Sequence, residues 1–458
     1  MAEKLHDASY FVHIKEDEQA QELVQTEGFK NSLQRERGNI EAYVDGWRIL
    51  DRASIGANDI NFDFYDVFGA VSTIELRFSR VNRFLPHDIN VLIGANGVGK
   101  SQILHQMVDA WISDNDEAAD VGFSVPPNLS RLVVISYSPF ELFPVDIASK
   151  KLKDKNAYRY CGLRGRSVSE EEGATATIRL SRTIPQKDAV RALLECVDDD
   201  QRYHIIRNWG QKILTVERVL RNAIDFDNIA LEIEPRIHVR TLYIDNSDDH
   251  DLVLSREKSG VKRYLPISSQ NVLGLNHQQI VRSTMAKSGV IFLKDGKALE
   301  LSSGQRLFTY VVINILGAIR RNSLVLIDEP ELFLHPSLEV QLIEMLKQIL
   351  HNFNSKAILA THSLVTVREV PADCVHVLER TDDGLVVKRP PFQTFGGDIQ
   401  RISSYVFGDR AVSKPFESWL KEQLEAYDGS AADLIEALGD DINEEMIIQI
   451  NAMERNQW

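Results

Sequence analysis

The hydrophobic residues of this chain form short apolar runs that alternate with amphipathic segments. Apolar residues recur at helical spacing after residue 100 and again after Pro336. Strands are predicted where the runs are fully apolar or alternate with polar residues, at 73–78, 89–93, 131–137, 290–294, 297–301, 324–327, 356–361, 374–378 and 385–387. Strands that alternate with helices predict an α/β fold with a mostly parallel central sheet.

Two parts of the chain depart from this alternation. Helical segments are predicted at 188–196 and 201–222, and no heptad repeat is sustained between residues 102 and 300. A helical lid or short arm is therefore expected in this region rather than a long coiled coil. Residues 406–458 are amphipathic and acidic, which predicts a helical C-terminal tail.

The composition, 43% hydrophobic and 26% charged over 458 residues, is typical of a soluble globular protein. No apolar run approaches the ~20 residues of a membrane span, and the N-terminus lacks the apolar core of a signal peptide. Cys161, Cys196 and Cys374 lie too far apart in sequence to suggest a disulfide framework or a zinc site. These features predict a cytoplasmic protein with no membrane partner.

The charge of the chain is unevenly distributed, although its net value of −15 excludes a surface that is basic everywhere. Residues 150–166 carry seven Lys or Arg against one acid, and Tyr158 and Tyr160 lie among them. This segment is a candidate DNA contact, through phosphate binding and base stacking. From Lys414 onwards there are eleven acids against three bases, so the tail is either a docking segment for a protein partner or a solvated helix.

The most specific chemical signal is a glycine-rich loop between a predicted strand and a predicted helix. It reads Gly94-Ala-Asn-Gly-Val-Gly-Lys-Ser101 and matches the P-loop pattern, in which two glycines separated by four residues precede Lys and Ser. Such glycines let backbone N–H groups curl around phosphates, while Lys100 reaches the β and γ oxygens and Ser101 binds Mg²⁺. ATP and Mg²⁺ are therefore the predicted cofactors, and the predicted contacts are Gly94, Asn96, Gly97, Gly99, Lys100 and Ser101.

Three further elements follow the P-loop in the sequence. The strand at 324–327 ends in Asp328, which fits the Mg²⁺-binding Walker B position, and in Glu329, which is placed to polarise a water against the γ-phosphate. His362 follows the next strand and could hydrogen-bond the γ-phosphate. A predicted helix N-terminus exposes free N–H groups to an anion, and its candidate nucleotide contacts are Ser302, Gly304 and Gln305.

In this order, the four elements resemble the ABC ATPase family. Residues 301–305 are similar to the family signature Leu-Ser-Gly-Gly-Gln, with Ser303 in place of the first glycine, and His362 matches the switch histidine. The run at 328–336 looks like the branch that includes RecF, SMC-type and OLD-type ATPases. The resemblance covers about 73–140 and 290–380. It implies a head-to-tail dimer, or a higher oligomer, in which one subunit's signature closes over the other's P-loop.

The resemblance also implies how the chain is divided. The expected fold is an ABC-type P-loop ATPase head with a mostly parallel central sheet plus antiparallel strands. Its expected parts are an N-terminal extension at 1–70, the first part of the head at 71–150, an inserted lid or arm at 151–289, the second part of the head at 290–405 and the acidic helical tail at 406–458.

One family element is missing from the sequence. ABC ATPases carry a glutamine in the Q-loop after the third strand, whereas residues 135–143 contain none. Glu141 or Ser138 is the candidate substitute. The departure leaves open whether the chain hydrolyses ATP quickly or responds mainly to ATP occupancy.

The chain is further similar to stand-alone ATPase subunits of bacterial antiphage systems, those of the PtuA type in Septu most closely and those of the AriA type in PARIS next. The resemblance implies that ATP-dependent dimerisation holds or licenses a separate nuclease effector, such as an HNH protein, and no nuclease site is expected in this chain. Two alternatives stay open, a RecF-like DNA-binding repair ATPase and an ATP-binding regulatory scaffold with little hydrolysis. A transporter subunit is disfavoured because the signature lies too far from the P-loop.

Overall fold

The computed structural model describes residues 4, 6–32, 39, 43, 59–78, 85–113, 121–147, 155–167, 177–204, 211–244, 252–257, 260–382, 384–408, 415–427 and 429–454. Contacts within the chain divide it into two units, residues 1–402 and 403–458. Part of the predicted N-terminal extension and the basic residues at 150–154 lie outside the described residues.

The described residues contain 17 strands and 14 α-helices. The strands are β1 (Ile60–Tyr65), β2 (Val71–Leu76), β3 (Ile89–Gly94), β4 (Gly122–Phe123), β5 (Arg131–Ser136), β6 (Tyr158–Gly162), β7 (Arg164–Ser167), β8 (Thr177–Leu180), β9 (Asn228–Glu232), β10 (Val253–Glu257), β11 (Gly260–Ile267), β12 (Val290–Lys294), β13 (Lys297–Ala298), β14 (Ser323–Asp328), β15 (Lys356–Thr361), β16 (Val375–Thr381) and β17 (Gly384–Lys388). The helices are α1 (Ala8–His13), α2 (Glu18–Gln25), α3 (Glu27–Ser32), α4 (Lys100–Ile112), α5 (Thr183–Tyr203), α6 (Lys212–Arg221), α7 (His277–Ser283), α8 (Ser303–Ala318), α9 (Pro336–Asn352), α10 (Leu364–Arg368), α11 (Ile399–Phe407), α12 (Pro415–Ala426), α13 (Ala431–Leu438) and α14 (Glu444–Glu454).

A seven-stranded sheet forms the centre of the first unit, with strand order β17-β16-β3-β15-β14-β5-β6. All neighbouring strands are parallel except β17, which runs antiparallel to β16. Every residue of β3, β14 and β15 is buried, as expected for parallel strands covered on both faces. The predicted α/β fold with a mostly parallel central sheet is confirmed.

One face of this sheet is covered by the helix that follows the P-loop and by the β1–β2 hairpin. Apolar residues of α4, such as Leu104 and Met107, share a core cluster with Phe62 and Phe64 of the hairpin and with strand residues such as Leu326. The apolar pairs that recur along α4 face this cluster because residues three and four apart lie on one side of a helix. The core therefore fixes the direction in which α4 leaves the P-loop.

A second sheet lies between the P-loop and the signature in sequence. Its order is β10-β11-β9-β12-β13, and all its pairings are antiparallel. The predicted hairpin at 290–301 forms and joins this sheet rather than the central one, because β12 pairs with β9. The insertion is thus partly β-sheet and not only a helical lid or arm.

The boundaries of the insertion also differ from the sequence-based expectation. Strand β6 pairs with β5, so the central sheet continues past the expected boundary at residue 150. Helix α5 spans 183–203, longer than the predicted 188–196, and α6 begins at Lys212 rather than near 201.

A buried ionic network ties α6 to the end of α8. Lys212 Nζ donates to Asp199 Oδ2 at 2.8 Å, to the carbonyl of Leu316 at 2.6 Å and to that of Ile319 at 3.0 Å. Arg320 Nη1 donates to the same Asp199 oxygen at 2.8 Å. The network satisfies carbonyls at the C-terminus of α8, which have no partner within that helix.

In the second unit, the predicted helical tail is confirmed as three helices, α12, α13 and α14. They pack around a small core of Leu420, Ala431, Leu434 and Ile450. Ser430 and Asp433 form a reciprocal capping box that starts α13. Across the described part of the whole chain, no helix is both long and apolar enough to cross a membrane.

Candidate functional site

The P-loop lies between β3 and α4, at the carboxyl edge of the central sheet. Gly97 and Gly99 have φ values of 76° and 98°, a conformation that L side chains rarely adopt. A side chain at Gly94 would collide with the neighbouring strand, since an added Cβ would lie 2.3 Å from the carbonyl oxygen of Leu378. The glycines are therefore required by the backbone, which leaves the loop free to present N–H groups to an anion.

Lys100 is the first residue of α4 and is buried beneath this loop. Its Nζ donates to the carbonyls of Gly94 at 3.1 Å and Ala95 at 3.0 Å, and lies 3.5 Å from His362 Nδ1. Burial lowers the pKa of Lys100 to about 8, although neighbouring carboxylates, led by Glu329, oppose the shift. The ammonium is thus already at the loop where phosphates would bind.

The P-loop and the Walker B strand meet through one hydrogen bond. Ser101 Oγ donates to Asp328 Oδ1 at 2.8 Å, although 227 positions separate the two residues. Burial raises the pKa of Asp328 to about 7, the bond from Ser101 lowers it, and Glu329 and Glu331 raise it further. Ser136 lies beside Asp328 in the sheet, and its buried Oγ has no hydrogen-bond partner among the described residues.

These oxygens fit a magnesium ion. A hydroxyl and a carboxylate converge here, and an unpaired hydroxyl lies beside them, which is the hard oxygen chemistry that Mg²⁺ prefers. Burial is the main cause of the raised pKa of Asp328, and a cation bound at this carboxylate would lower that pKa. Ser101 and Asp328 are the residues that would hold the ion, as the sequence predicts.

Glu329 follows Asp328 in a strained backbone conformation. Its φ and ψ of 48° and 55° lie in the left-handed region, which is uncommon for a residue other than glycine. Its N–H donates to the carbonyl of Ala360 at 2.8 Å, so the adjacent strand fixes the turn. The chain therefore bends sharply as soon as β14 ends, and Glu329 is the residue at the bend.

The loop that carries His362 is held by two carboxylates that the sequence analysis did not single out. Glu331 Oε1 accepts from the backbone N–H of His362 at 2.5 Å, and Glu339 Oε2 accepts from Ser363 Oγ. Burial raises the pKa of Glu331, and burial together with Lys100 lowers the pKa of His362. His362 is therefore neutral near pH 7, so its Nδ1 can accept a hydrogen bond.

The candidate Q-loop substitute, Glu141, is buried and already engaged. Its carboxylate accepts from the hydroxyl of Tyr160 at 2.5 Å and from the backbone N–H of Phe143 at 2.7 Å. Arg164 Nη1 lies 3.4 Å from the same carboxylate. The charge of Glu141 is a minor cause of the raised pKa of Asp328, behind burial, Glu329 and Glu331. Ser138 is buried as well, so both residues stay candidates for the place of the glutamine.

The same loop is joined to the P-loop helix by a histidine. His105 Nδ1 lies 3.1 Å from Asp109 Oδ2, and its Nε2 lies 3.2 Å from the carbonyl of Leu142. The hydrogen bond to Asp109 raises the pKa of His105. With an acceptor at each ring nitrogen, the protonated form satisfies both contacts.

The structure contradicts one part of the expected DNA contact, the stacking of bases on Tyr158 and Tyr160. Tyr158 and Tyr160 are buried in β6, so neither ring is available to stack on a base. Arg159 pairs with Glu195, and Arg166 pairs with Asp146. Arg159 lies on β6 between the two buried tyrosines, whereas Arg166 lies on β7. The stacking expectation is therefore wrong for the described part of 150–166.

The signature residues begin α8 and are exposed or half-buried. Ser302 Oγ accepts from Gln305 N at 3.3 Å, and Gln305 Oε1 accepts from Ser302 N at 3.1 Å, which forms a capping box. Gln305 Nε2 donates to the carbonyl of Ala223 at 3.0 Å. An added Cβ at Gly304 would lie 3.0 Å from the carbonyl oxygen of Phe333. The structure brings the signature beside the turn after β14, and these hydrogen bonds do not join it to the P-loop of its own chain.

The arrangement of the central strands completes the site. Strand β15 alone separates the P-loop strand β3 from the Walker B strand β14, and His362 follows the carboxyl end of β15. Ser101, Asp328 and His362 therefore meet at one edge of a mostly parallel sheet. The fold is a mostly parallel α/β sheet that carries a P-loop at its carboxyl edge.

A family model and a curated protein are similar to parts of this chain. A family model described as "AAA domain, putative AbiEii toxin, Type IV TA system" matches residues 217–368, which include the signature, the Walker B strand and His362. Protein ea59 of Escherichia phage lambda is 24% identical over 367 residues, which is 76% of this chain and 59% of that protein. The chain thus spans about three-fifths of the length of this curated relative.

Two solved structures are similar to the head over most of their own length. The SMC head bound to the C-terminal winged-helix domain of ScpA gives a TM-score of 0.33 at 11% identity, covering 73% of this chain and 98% of that one. The SMC head domain from Thermotoga maritima gives 0.30 at 10% identity, covering 74% and 100%.

Proposed function

We propose that this chain is an ATP-hydrolysing subunit of a bacterial antiphage defence complex. In this proposal its heads dimerise head to tail around ATP, and the dimer holds or licenses a separate nuclease effector. The observation that carries the ATPase part is the hydrogen bond of 2.8 Å from Ser101 to Asp328, which unites the P-loop and the Walker B strand. The toxin–antitoxin wording of the matched family description is compatible with the defence part.

The residues of the site divide the chemistry between them. The P-loop N–H groups and Lys100 bind and orient the phosphates, while Ser101 and Asp328 hold Mg²⁺, which would shield the phosphate charge. Glu329 accepts a proton from the attacking water. His362 is neutral and adjacent to Lys100, so it contributes a hydrogen bond on the γ side without adding charge.

A second subunit is needed to complete the site. The hydrogen bonds of Ser302 and Gln305 are local or lead to Ala223, and none of them joins these residues to the P-loop of their own chain. Ser302, Gly304 and Gln305 therefore act on the ATP of a partner copy. Because that ATP contacts both copies, its binding shifts the equilibrium towards the dimer, and its hydrolysis releases the two heads.

One observation favours an alternative, a regulatory scaffold with little hydrolysis. Glu141, one candidate for the place of the Q-loop glutamine, is held by Tyr160 and Arg164. A carboxylate held in this way has less freedom to position a water than an amide would. A RecF-like clamp stays as a further alternative, although the buried tyrosines weaken its expected DNA contact.

Single-turnover ATP cleavage tests the proposal. We expect wild type to cleave bound ATP, Glu329→Gln to bind but not cleave it, and Lys100→Ala to lose binding. Glu344→Gln is the matched control, because Glu344 is an exposed carboxylate on α9. If wild type and Glu329→Gln both bind ATP but neither cleaves it, the chain is a regulatory scaffold. The proposal that it hydrolyses ATP is then refuted.

Two further measurements test the assembly. Ser302→Arg should leave the monomer folded but block ATP-dependent dimerisation, measured by light scattering; unchanged dimerisation would refute the shared site. Purification with the product of the neighbouring reading frame tests the defence role, which requires that a nuclease is retained. DNA affinity that falls steeply with salt in the absence of any partner protein would instead favour the repair clamp.

A further inference from the structure

The turn that follows Glu329 is in contact with several functional elements at once. This Walker B turn, Pro330–Phe333, is a single 3-10 turn that begins at the strained Glu329 backbone. Its Phe333 carbonyl lies against Gly304 of the signature, and its Glu331 side chain reaches the loop of His362. The Walker B turn thus connects the signature, the Walker B strand and the switch histidine within one subunit.

The contact from Glu331 is made to the backbone rather than to the imidazole. Its carboxylate accepts from the N–H of His362, so it fixes where the chain turns after β15 and leaves the ring free to reach Lys100. Glu339 holds the next residue through Ser363, which also caps α10. Because the carboxylates of Glu331 and Glu339 hold consecutive residues, the loop of His362 is tied to the segment after β14.

The outer side of the same turn is apolar and exposed. Leu332 and Phe333 keep 45% and 49% of their surface accessible, and the carbonyl of Phe333 lies beside the signature residue Gly304. A second copy that supplies its P-loop to this signature would come close to these side chains. A partner that displaces these side chains would move the Walker B turn, and the hydrogen bond from Glu331 would pass that movement to the loop of His362.

We propose that Glu331 is a positioning residue that sets His362 against Lys100 and couples its placement to partner contact at the Walker B turn. The inference rests on the proposed ATPase function. It predicts that Glu331 acts on the rate of ATP cleavage within the dimer and has little effect on ATP affinity. Glu331 does not itself touch the reacting atoms.

The test compares Glu331→Ala with Glu331→Gln, which keeps an acceptor oxygen for the His362 N–H. Under single-turnover conditions with the dimer saturated, we expect Glu331→Ala to lower the cleavage rate on the order of 10–100-fold. ATP affinity and the dimer fraction should stay within about twofold of wild type, and Glu331→Gln should recover most of the rate. Glu344→Gln is the control and should behave as wild type, because Glu344 is an exposed residue of α9.

Amide hydrogen exchange at His362 provides a second readout that does not depend on hydrolysis. Exchange should be faster in Glu331→Ala than in wild type and close to wild type in Glu331→Gln, with or without ATP. If Glu331→Ala cleaves ATP at the wild-type rate, or if both variants lose rate and affinity together, the positioning role is wrong. The two proposals can also fail separately. If wild type does not cleave ATP but exchange at the His362 amide still depends on Glu331, the ATPase proposal is refuted. The hydrogen bond between Glu331 and the His362 N–H would then still be supported.

Discussion

Lys212 offers a perturbation whose size can be worked out from its contacts. The side chain is 2% exposed, and its Nζ reaches Asp199 and the carbonyls of Leu316 and Ile319. Burial lowers the pKa of Lys212, and Asp199 opposes that shift. We consider Lys212→Met, which keeps the length of the side chain and removes the charge, beside Asp199→Ala, which removes the anion.

The two variants leave different groups unpaired. In Lys212→Met, Arg320 still donates to Asp199 at 2.8 Å and to the carbonyl of Ile319 at 3.0 Å, so mainly the carbonyl of Leu316 loses its partner. An unsatisfied buried group costs about 1–3 kcal/mol. Asp199→Ala instead leaves a buried ammonium without its counter-ion, for which about 3–5 kcal/mol is expected. The loss should therefore be larger for Asp199→Ala than for Lys212→Met.

Native-state hydrogen exchange measures this order locally. Amides of α6 and of the last turns of α8 should lose protection in both variants, because the network joins these elements. The loss should be about 1–3 kcal/mol for Lys212→Met and about 3–5 kcal/mol for Asp199→Ala. Amides of α14, in the second unit, are the internal control and should not change. A loss for Lys212→Met equal to or larger than that for Asp199→Ala would refute the assignment of Arg320 as the residual partner of Asp199.

Two further predictions concern the P-loop and its helix. Gly94→Ala should abolish ATP binding and lower stability, because the new Cβ would lie 2.3 Å from the carbonyl oxygen of Leu378; normal ATP binding would contradict the close approach. Because its pKa is raised above 6.5, His105 should stabilise the fold fully below about pH 6.5 and lose this effect as pH rises through the raised pKa. The difference in melting temperature between wild type and His105→Gln should therefore shrink from pH 6 to pH 9, and a constant difference would show that the contacts to Asp109 and Leu142 do not depend on protonation.

The sequence was sufficient for the elements whose geometry is local. A P-loop needs glycines, a strand before it and a helix after it within a few residues, and all of these can be read from the residues around Lys100. The apolar run before Asp328 likewise predicts a buried strand that ends in an acid. Parallel strands bring their carboxyl ends to one edge, so the meeting of Ser101 and Asp328 followed from the fold class.

The contacts that could not be predicted depend on packing between distant segments. The sequence analysis did not single out Glu331, because its hydrogen bond to the backbone N–H of His362 spans 31 positions of the chain. Tyr158 and Tyr160 looked like stacking residues because they lie in a basic segment, but β6 completes the edge of the central sheet and buries them. Alternation along one strand could not show which face would be covered, since α5 and the loop around Glu141 come from elsewhere in the chain.

At Glu329, thermal stability and the proposed chemistry favour different residues, because the backbone is left-handed while the hydrolysis requires a carboxylate. A non-glycine residue in this conformation costs about 1–2 kcal/mol, which glycine would largely avoid. Selection for stability alone would therefore favour Glu329→Gly, at the loss of the carboxylate. A related chain with glycine in place of this acid is therefore expected to melt at a higher temperature and to bind ATP without cleaving it. The residue at this bend would thus distinguish relatives that hydrolyse ATP from relatives that only bind it.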